Sequence, residues 1–165
     1  MILASKLFHA PLIAIGVGKI GEIGDPIINI DNGQLLAFHV LTPGLFSPKK
    51  VISLIDIIVF DPKVVIVNSP ESIIDPKEVV RIQDSIEKKF TLMKAKAYTQ
   101  NNNYLGKIED VVIDSDSNTI TKYYIKNILR NRILSSEKVI EIQKNKIIFD
   151  NSVISPETTI GGIPA

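Results

Sequence analysis

The chain of 165 residues contains no cysteine and no tryptophan. Without thiols, disulfides, thiolate nucleophiles and cysteine-ligated zinc or iron–sulfur centres are excluded. Two histidines, His9 and His39, leave little material for a transition-metal site. No run approaches the roughly 20 apolar residues that a spanning helix needs; the nearest candidate, Pro11 to Val17, is short and holds Gly16. The opening MILASKLFHAPLIAIGVG has one lysine before a brief apolar segment but no small-x-small cleavage pattern, so it reads as a first strand rather than a signal peptide. The lack of cysteine fits an intracellular protein, and the expected location is cytoplasmic. Charge of one sign is lacking too. Residues 1–83 hold seven basic and eight acidic side chains and residues 84–165 hold twelve and ten, an imbalance too mild to announce a nucleic-acid binder.

What is present is aliphatic. Apolar residues make up 45% of the chain and are dominated by Ile, Val and Leu, and the β-branched types favour strands. Nine Pro and nine Gly point to many turns.

A shift of 85 positions lays Lys19–Val40 on Tyr104–Ile125 without a gap. Gly21 then meets Gly106, Ile23 meets Ile108, Asp25 meets Asp110, Ile28 meets Ile113 and Asp31 meets Asp116. The later parts keep their order with a shorter spacing, FSPKKVISLIDIIVFDPKVVIVN against RILSSEKVIEIQKNKIIFDN, with Ser47–Lys50 and Ser136–Lys138 as turns. Each copy predicts a short strand (Ile20 and Ile23, or Leu105 and Ile108) and a second (Ile27–Ile30, or Val111–Ile113). A polar turn, a third strand (Leu35–Leu41, or Ile120–Ile125) and a closing strand (Val64–Val67, or Lys146–Phe149) follow. Ile120 to Ile125 does not alternate cleanly, so its buried face stays open. So many short strands cannot protect their edges in an open sheet of this size, and closure into a small barrel would.

Between the copies, Asp75 is an N-cap, Pro76 the first helical residue and Glu78 the capping-box partner. Val79, Ile82, Ile86 and Phe90 form one apolar stripe, predicting an amphipathic helix of about 13 residues that packs on one of the barrels.

The stretch YLGKIEDVVIDSDSN raises the question of a calcium loop. Asp114, Asp116 and Asn118 have the spacing, but Thr119 and Ile125 stand where Gly and the bidentate Glu belong. The shared element is a hairpin turn, with Asp31 and Gly33 in the first copy and Asp114, Asp116 and Asn118 in the second. Gly21 and Gly106 mark close backbone approach, and Asp25 and Asp110 serve local turns. No nucleophile elbow, phosphate loop or dinucleotide fingerprint exists. No metal, cofactor or catalytic residue is assigned.

From Ser117 to Ser136 there is no acidic residue, while Lys122, Lys126, Arg130 and Arg132 are mixed with Ile128, Leu129 and Ile133. Such a mixture suits a docking face for a protein partner. RNA or an anionic membrane surface is the weaker fit, because four charges give only salt-sensitive binding.

The pattern L-G-K-[IV], x-D-[VI]-[VI]-[ILV]-D, a polar turn and a hydrophobic strand resembles the PRC-barrel domain, best in YLGKIEDVVIDSDSNTITKYYIKN and more loosely in GEIGDPIINIDNGQLLAFHV, where Pro26 replaces an aliphatic residue. The resemblance implies an all-β chain of two small barrels: residues 1–72, a linker helix at 73–90, and residues 91–165 with a C-terminal tail. It also implies adaptor and assembly roles, as in the reaction-centre H subunit and a ribosome-maturation factor, without common catalytic residues. The expected function is a non-enzymatic protein-binding adaptor, with self-association through a pseudo-twofold arrangement as a further expectation. The alternatives are a ribosome- or RNA-associated factor using segment 122–132, and an enzyme or small-ligand binder with an inter-barrel site lined by Asp25, His39 or Asp110.

Overall fold

The computed structural model describes residues 1–44 and 49–154; the turn at Ser47 and the C-terminal tail lie outside the described residues. The first half contains β1 (Ile2–Leu3), α1 (Ala4–Leu7), β2 (Pro11–Ala14), β3 (Gly18–Ile28), β4 (Leu35–Leu41), β5 (Lys50–Ser53), β6 (Ile57–Asp61), β7 (Val64–Val67) and β8 (Ile73–Ile74). Helix α2 (Val80–Glu87) leads to β9 (Lys96–Thr99), β10 (Tyr104–Asp114), β11 (Thr119–Lys126), β12 (Arg132–Ser135), β13 (Val139–Gln143) and β14 (Lys146–Phe149).

The sheets have one topology twice. The first runs β6-β7-β2-β3-β4-β5-β8 and the second β13-β14-β9-β10-β11-β12, with β1 added to β10. In each, one pair is parallel, β2 with β7 and β9 with β14, in matching register (Leu12↔Val65, Ala97↔Ile147). Even the irregularities correspond. Register shifts fall between Ile27 and Ile28 on β3 and between Val112 and Ile113 on β10, leaving Leu36 and Thr121 as the extra residues opposite. That bulge explains the broken alternation of the third strand: it flips the phase, so Ile120, Tyr123 and Ile125 all point inward. The repeat also extends further back than its glycines suggest. His9 and Lys94 both adopt positive φ (67° and 71°) in a turn closed by Ala10 N–H to Leu7 O and Ala95 N–H to Leu92 O.

Three expectations are corrected. The two short strands before the hairpin are one strand in each half, Gly18–Ile28 and Tyr104–Asp114. A bulge after Ile23 or Ile108 bends the backbone without breaking it, and in the first half pairing resumes at Pro26, opposite Phe38. The linker is not a continuous helix of about 13 residues. The capping box is formed, with Lys77 N–H donating to Asp75 (3.0 Å) and Asp75 N–H to Glu78 (2.9 Å), but on a 3-10 turn, Pro76–Glu78. Val79, at φ −126°, separates that turn from α2. Finally, the chain is not purely β and its sheets are barrel-like without closing: among the described residues, β6 and β8 end the first and β12 and β13 end the second.

The closure comes from the other half instead. One apolar core holds Leu12, Phe38 and Val65 of the first sheet together with Ala97, Tyr123 and Phe149 of the second. The hairpin turn of the first half, Asp31–Gln34, faces Glu137–Ile142 of the second, and the turn of the second, Ser115–Asn118, faces Leu54–Phe60 of the first. Contacts are reciprocal, as between the subunits of a twofold dimer. The segment before each half also crosses over. β1 and α1 pack on β10, while α2 lays Ile82 and Ile86 on Ile27, Ala37 and Val51 of the first sheet.

Gly106 has φ +138°, and a Cβ there would strike the Lys126 carbonyl and lie 2.9 Å from Ile125 Cγ2. At Gly21 the nearest atom is a side-chain methyl, Val40 Cγ1. Gly106→Ala is therefore expected to cost about 2–4 kcal/mol of stability and Gly21→Ala clearly less, as read from urea unfolding; equal costs would refute the close-approach account.

Candidate interaction surface

The β11–β12 connection, Asn127–Asn131, carries the two most exposed described aliphatic side chains, Ile128 (102%) and Leu129 (93%). The loop is anchored. Asn127 Nδ2 and Arg132 Nη1 both donate to the Leu105 carbonyl, at 3.1 and 3.3 Å. Leu129 N–H reaches Asn127 Oδ1 at 3.4 Å, a turn-type contact that holds the tip away from the sheet. Burial lowers the Arg132 pKa from its ordinary value, and the neighbouring Arg130 charge lowers it further. Of the other sequence candidates, Lys122 and Lys126 are exposed and Ile133 is half-buried on β12. Lys126 pairs with Glu109 at 3.2 Å, an exposed pair of little energetic weight.

A second basic feature is invisible in the linear sequence. Lys126 lies opposite Lys107, Lys107 opposite Lys96, and Lys96 opposite Lys146, forming a row across β11, β10, β9 and β14. Like charges directly opposed cost about 0.2–1 kcal/mol per pair. Beside the row, Tyr98 and Tyr104 are paired across strands with ring centroids 5.2 Å apart, and Lys146 Nζ lies 5.7 Å from the Tyr98 ring. Only the pairing register brings these residues together. The repeat alignment carries the one available sequence signal, since Lys107 and Lys96 align with Glu22 and Pro11.

Residues 91–153 match the model of the PRC-barrel domain. The second half is thus a PRC-barrel domain, and both basic features lie on it. The first half has a structurally similar sheet that the match does not cover. No curated protein matches the chain. No helix among the described residues is long and apolar enough to cross a membrane.

The remaining candidates occupy the frame of the two halves. In the PRC-barrel domain, Asp110 is buried; its carboxylate accepts the Ser5 backbone N–H (3.0 Å), the Ser5 hydroxyl and the Val111 N–H (2.8 Å), tying α1 to β10. Its counterpart Asp25 is exposed and borders two open depressions of about 440 and 280 Å³; His39 and Lys49 border the second. A cleft of about 630 Å³ lies between the halves and is lined by none of Asp25, Asp110 and His39. In the hairpin turns, Asp114 Oδ1 accepts the Asp116 N–H (3.0 Å), Asn118 takes φ 54°, Gly33 takes φ 71°, and Asp31 receives Lys88 of the linker at 2.8 Å. Among the described residues no cluster of His, Asp and Glu could hold a metal ion.

Burial holds the His39 pKa below its ordinary 6.5, Asp25 opposing and Lys49 reinforcing the shift. The unfolded chain therefore takes up this proton first, and stability is lost as pH falls below about 6.5. Urea midpoints are expected to decline from pH 7 to pH 5.5 and His39→Gln to flatten that decline. A decline unchanged in the variant would assign it to other groups.

Proposed function

We propose that the chain is a non-enzymatic adaptor built from two PRC-barrel-type halves, and that it binds a protein partner at the β11–β12 loop of the second. The observation that carries this reading is the pair Ile128 and Leu129, held outward by an anchored loop and flanked by Arg130 and Arg132. Large aliphatic side chains gain nothing for a monomer when left in water, and an apolar centre with a polar rim, enriched in arginine, is the anatomy of many protein interfaces. The neighbouring edge supports the same reading. In the first half the outer edge of β5 is covered by β8, through Val51↔Ile74 and Ile52↔Ile73. Among the described residues no strand pairs with the corresponding edge of β12, so a partner strand has backbone groups to pair with beside the loop.

A photo-crosslinking residue at position 129 of the full chain, expressed in its native host, is expected to give a discrete adduct that the same residue at Val17 does not. Ile128→Ser combined with Leu129→Ser should abolish partner binding while changing stability by less than about 0.5 kcal/mol, because neither side chain is packed. Adducts that are identical at both positions, or none at 129, would remove the reading.

A further inference from the structure

The lysine row and tyrosine pair on the outward face of the PRC-barrel domain are unexplained by the fold, and they are confined to that half. At the equivalent places in the first half stand Leu41, Glu22, Pro11 and Val64 for Lys126, Lys107, Lys96 and Lys146, and Ile13 and Lys19 for Tyr98 and Tyr104. Both sheets keep the same pairings with either set, so neither the topology nor the bulges require the lysines. Their mutual repulsion opposes folding. An arrangement that weakens the free protein and recurs across four strands is accounted for by a polyanion laid across them.

We infer that this face binds single-stranded nucleic acid, with phosphates along Lys107, Lys96 and Lys146 and a base on the Tyr98–Tyr104 pair. The row crosses strands about 4.8 Å apart, so its charges extend over about 14 Å, a length suited to a few nucleotides. The tyrosine rings provide what an acidic peptide would not use, a π surface directly beside the cations. Tyr104 is nearly half exposed, at 46%, leaving it accessible for stacking. Lys126, at the end of the row, is engaged by Glu109, which leaves three lysines as the principal phosphate contacts. The inference does not rest on the adaptor reading, because the loop and the row use different residues.

The test uses the full chain and a fluorescein-labelled oligouridylate of about a dozen nucleotides, followed by anisotropy between about 50 and 200 mM salt. Three phosphate contacts predict a log–log salt slope of about −2, and Lys107→Gln should reduce its size by about 0.7. Tyr98→Ser should weaken binding about tenfold with the slope unchanged, since stacking releases no counterions. Lys107→Gln should also raise the urea midpoint, by relieving the row, so a misfolded variant would be recognised. Absence of binding at the lowest salt, full binding by Tyr98→Ser, or tighter binding to phosphatidylserine vesicles than to the oligonucleotide would each overturn the inference. Failure here with the Leu129 adduct intact would leave the adaptor reading in place.

Discussion

The structure depends on one shared apolar interior. Each half is a sheet of about seven short strands bent over too few residues to enclose its own core, and domains of about 60 residues bury too little surface to be robust alone. Among the described residues, hydrogen bonding closes neither sheet. The missing wall is the other half, so Phe38 and Tyr123, at equivalent positions, belong to one cluster. Tyr123 shows how dry that interior is: burial raises its pKa to about 12 while its ring packs edge-on against Phe149 at 5.6 Å. Crossed segments reinforce the union, since Asp110 of one half holds Ser5 ahead of the other across 105 positions of sequence.

Against that symmetry, the differences become informative. The helix α2 covers Ile27, Ala37 and Val51, whereas the corresponding second-half positions are Val112, Lys122 and Ile133. Lys122 is exposed and makes that second face suitable for water, while the two-residue strand β1 adds to the sheet at β10. The connection after the third strand is also shorter, Asn127–Asn131 against residues 42–49, and its two aliphatic side chains point outward.

Much of the architecture was legible in the sequence because the repeat preserved residues with backbone consequences. Gly21 with Gly106 and the paired hairpin turns fix where the chain bends, and aliphatic phase fixes which face is dry. The unread parts have physical causes. Strand phase was obscured at Thr121 because a bulge inserts one residue, an event that periodicity alone cannot report. The helix was read too long because the capping box at Asp75–Glu78 serves a 3-10 turn as well as it serves an α-helix. Open sheets were missed because edge protection was attributed to closure within a half, when burial against the neighbour answers much of the same need. The lysine row was missed for a simpler reason: its members are 11 to 50 positions from their partners in the row and meet only through pairing register.

Duplication within one chain also explains why such a row can exist. In a twofold homodimer every surface residue appears twice, and a ladder of opposed lysines would impose its repulsion on both subunits. A covalent pair escapes that constraint. The first half keeps Glu22, paired with both Lys19 and His9, at the place where Lys107 stands in the second. Hydrogen bonds from Lys19 and His9 hold the Glu22 pKa below its ordinary value, so this surface stays compensated at neutral pH. The halves therefore differ in surface charge: at these positions the first has a neutralised surface, and the second can carry opposed lysines because its partner half does not repeat them.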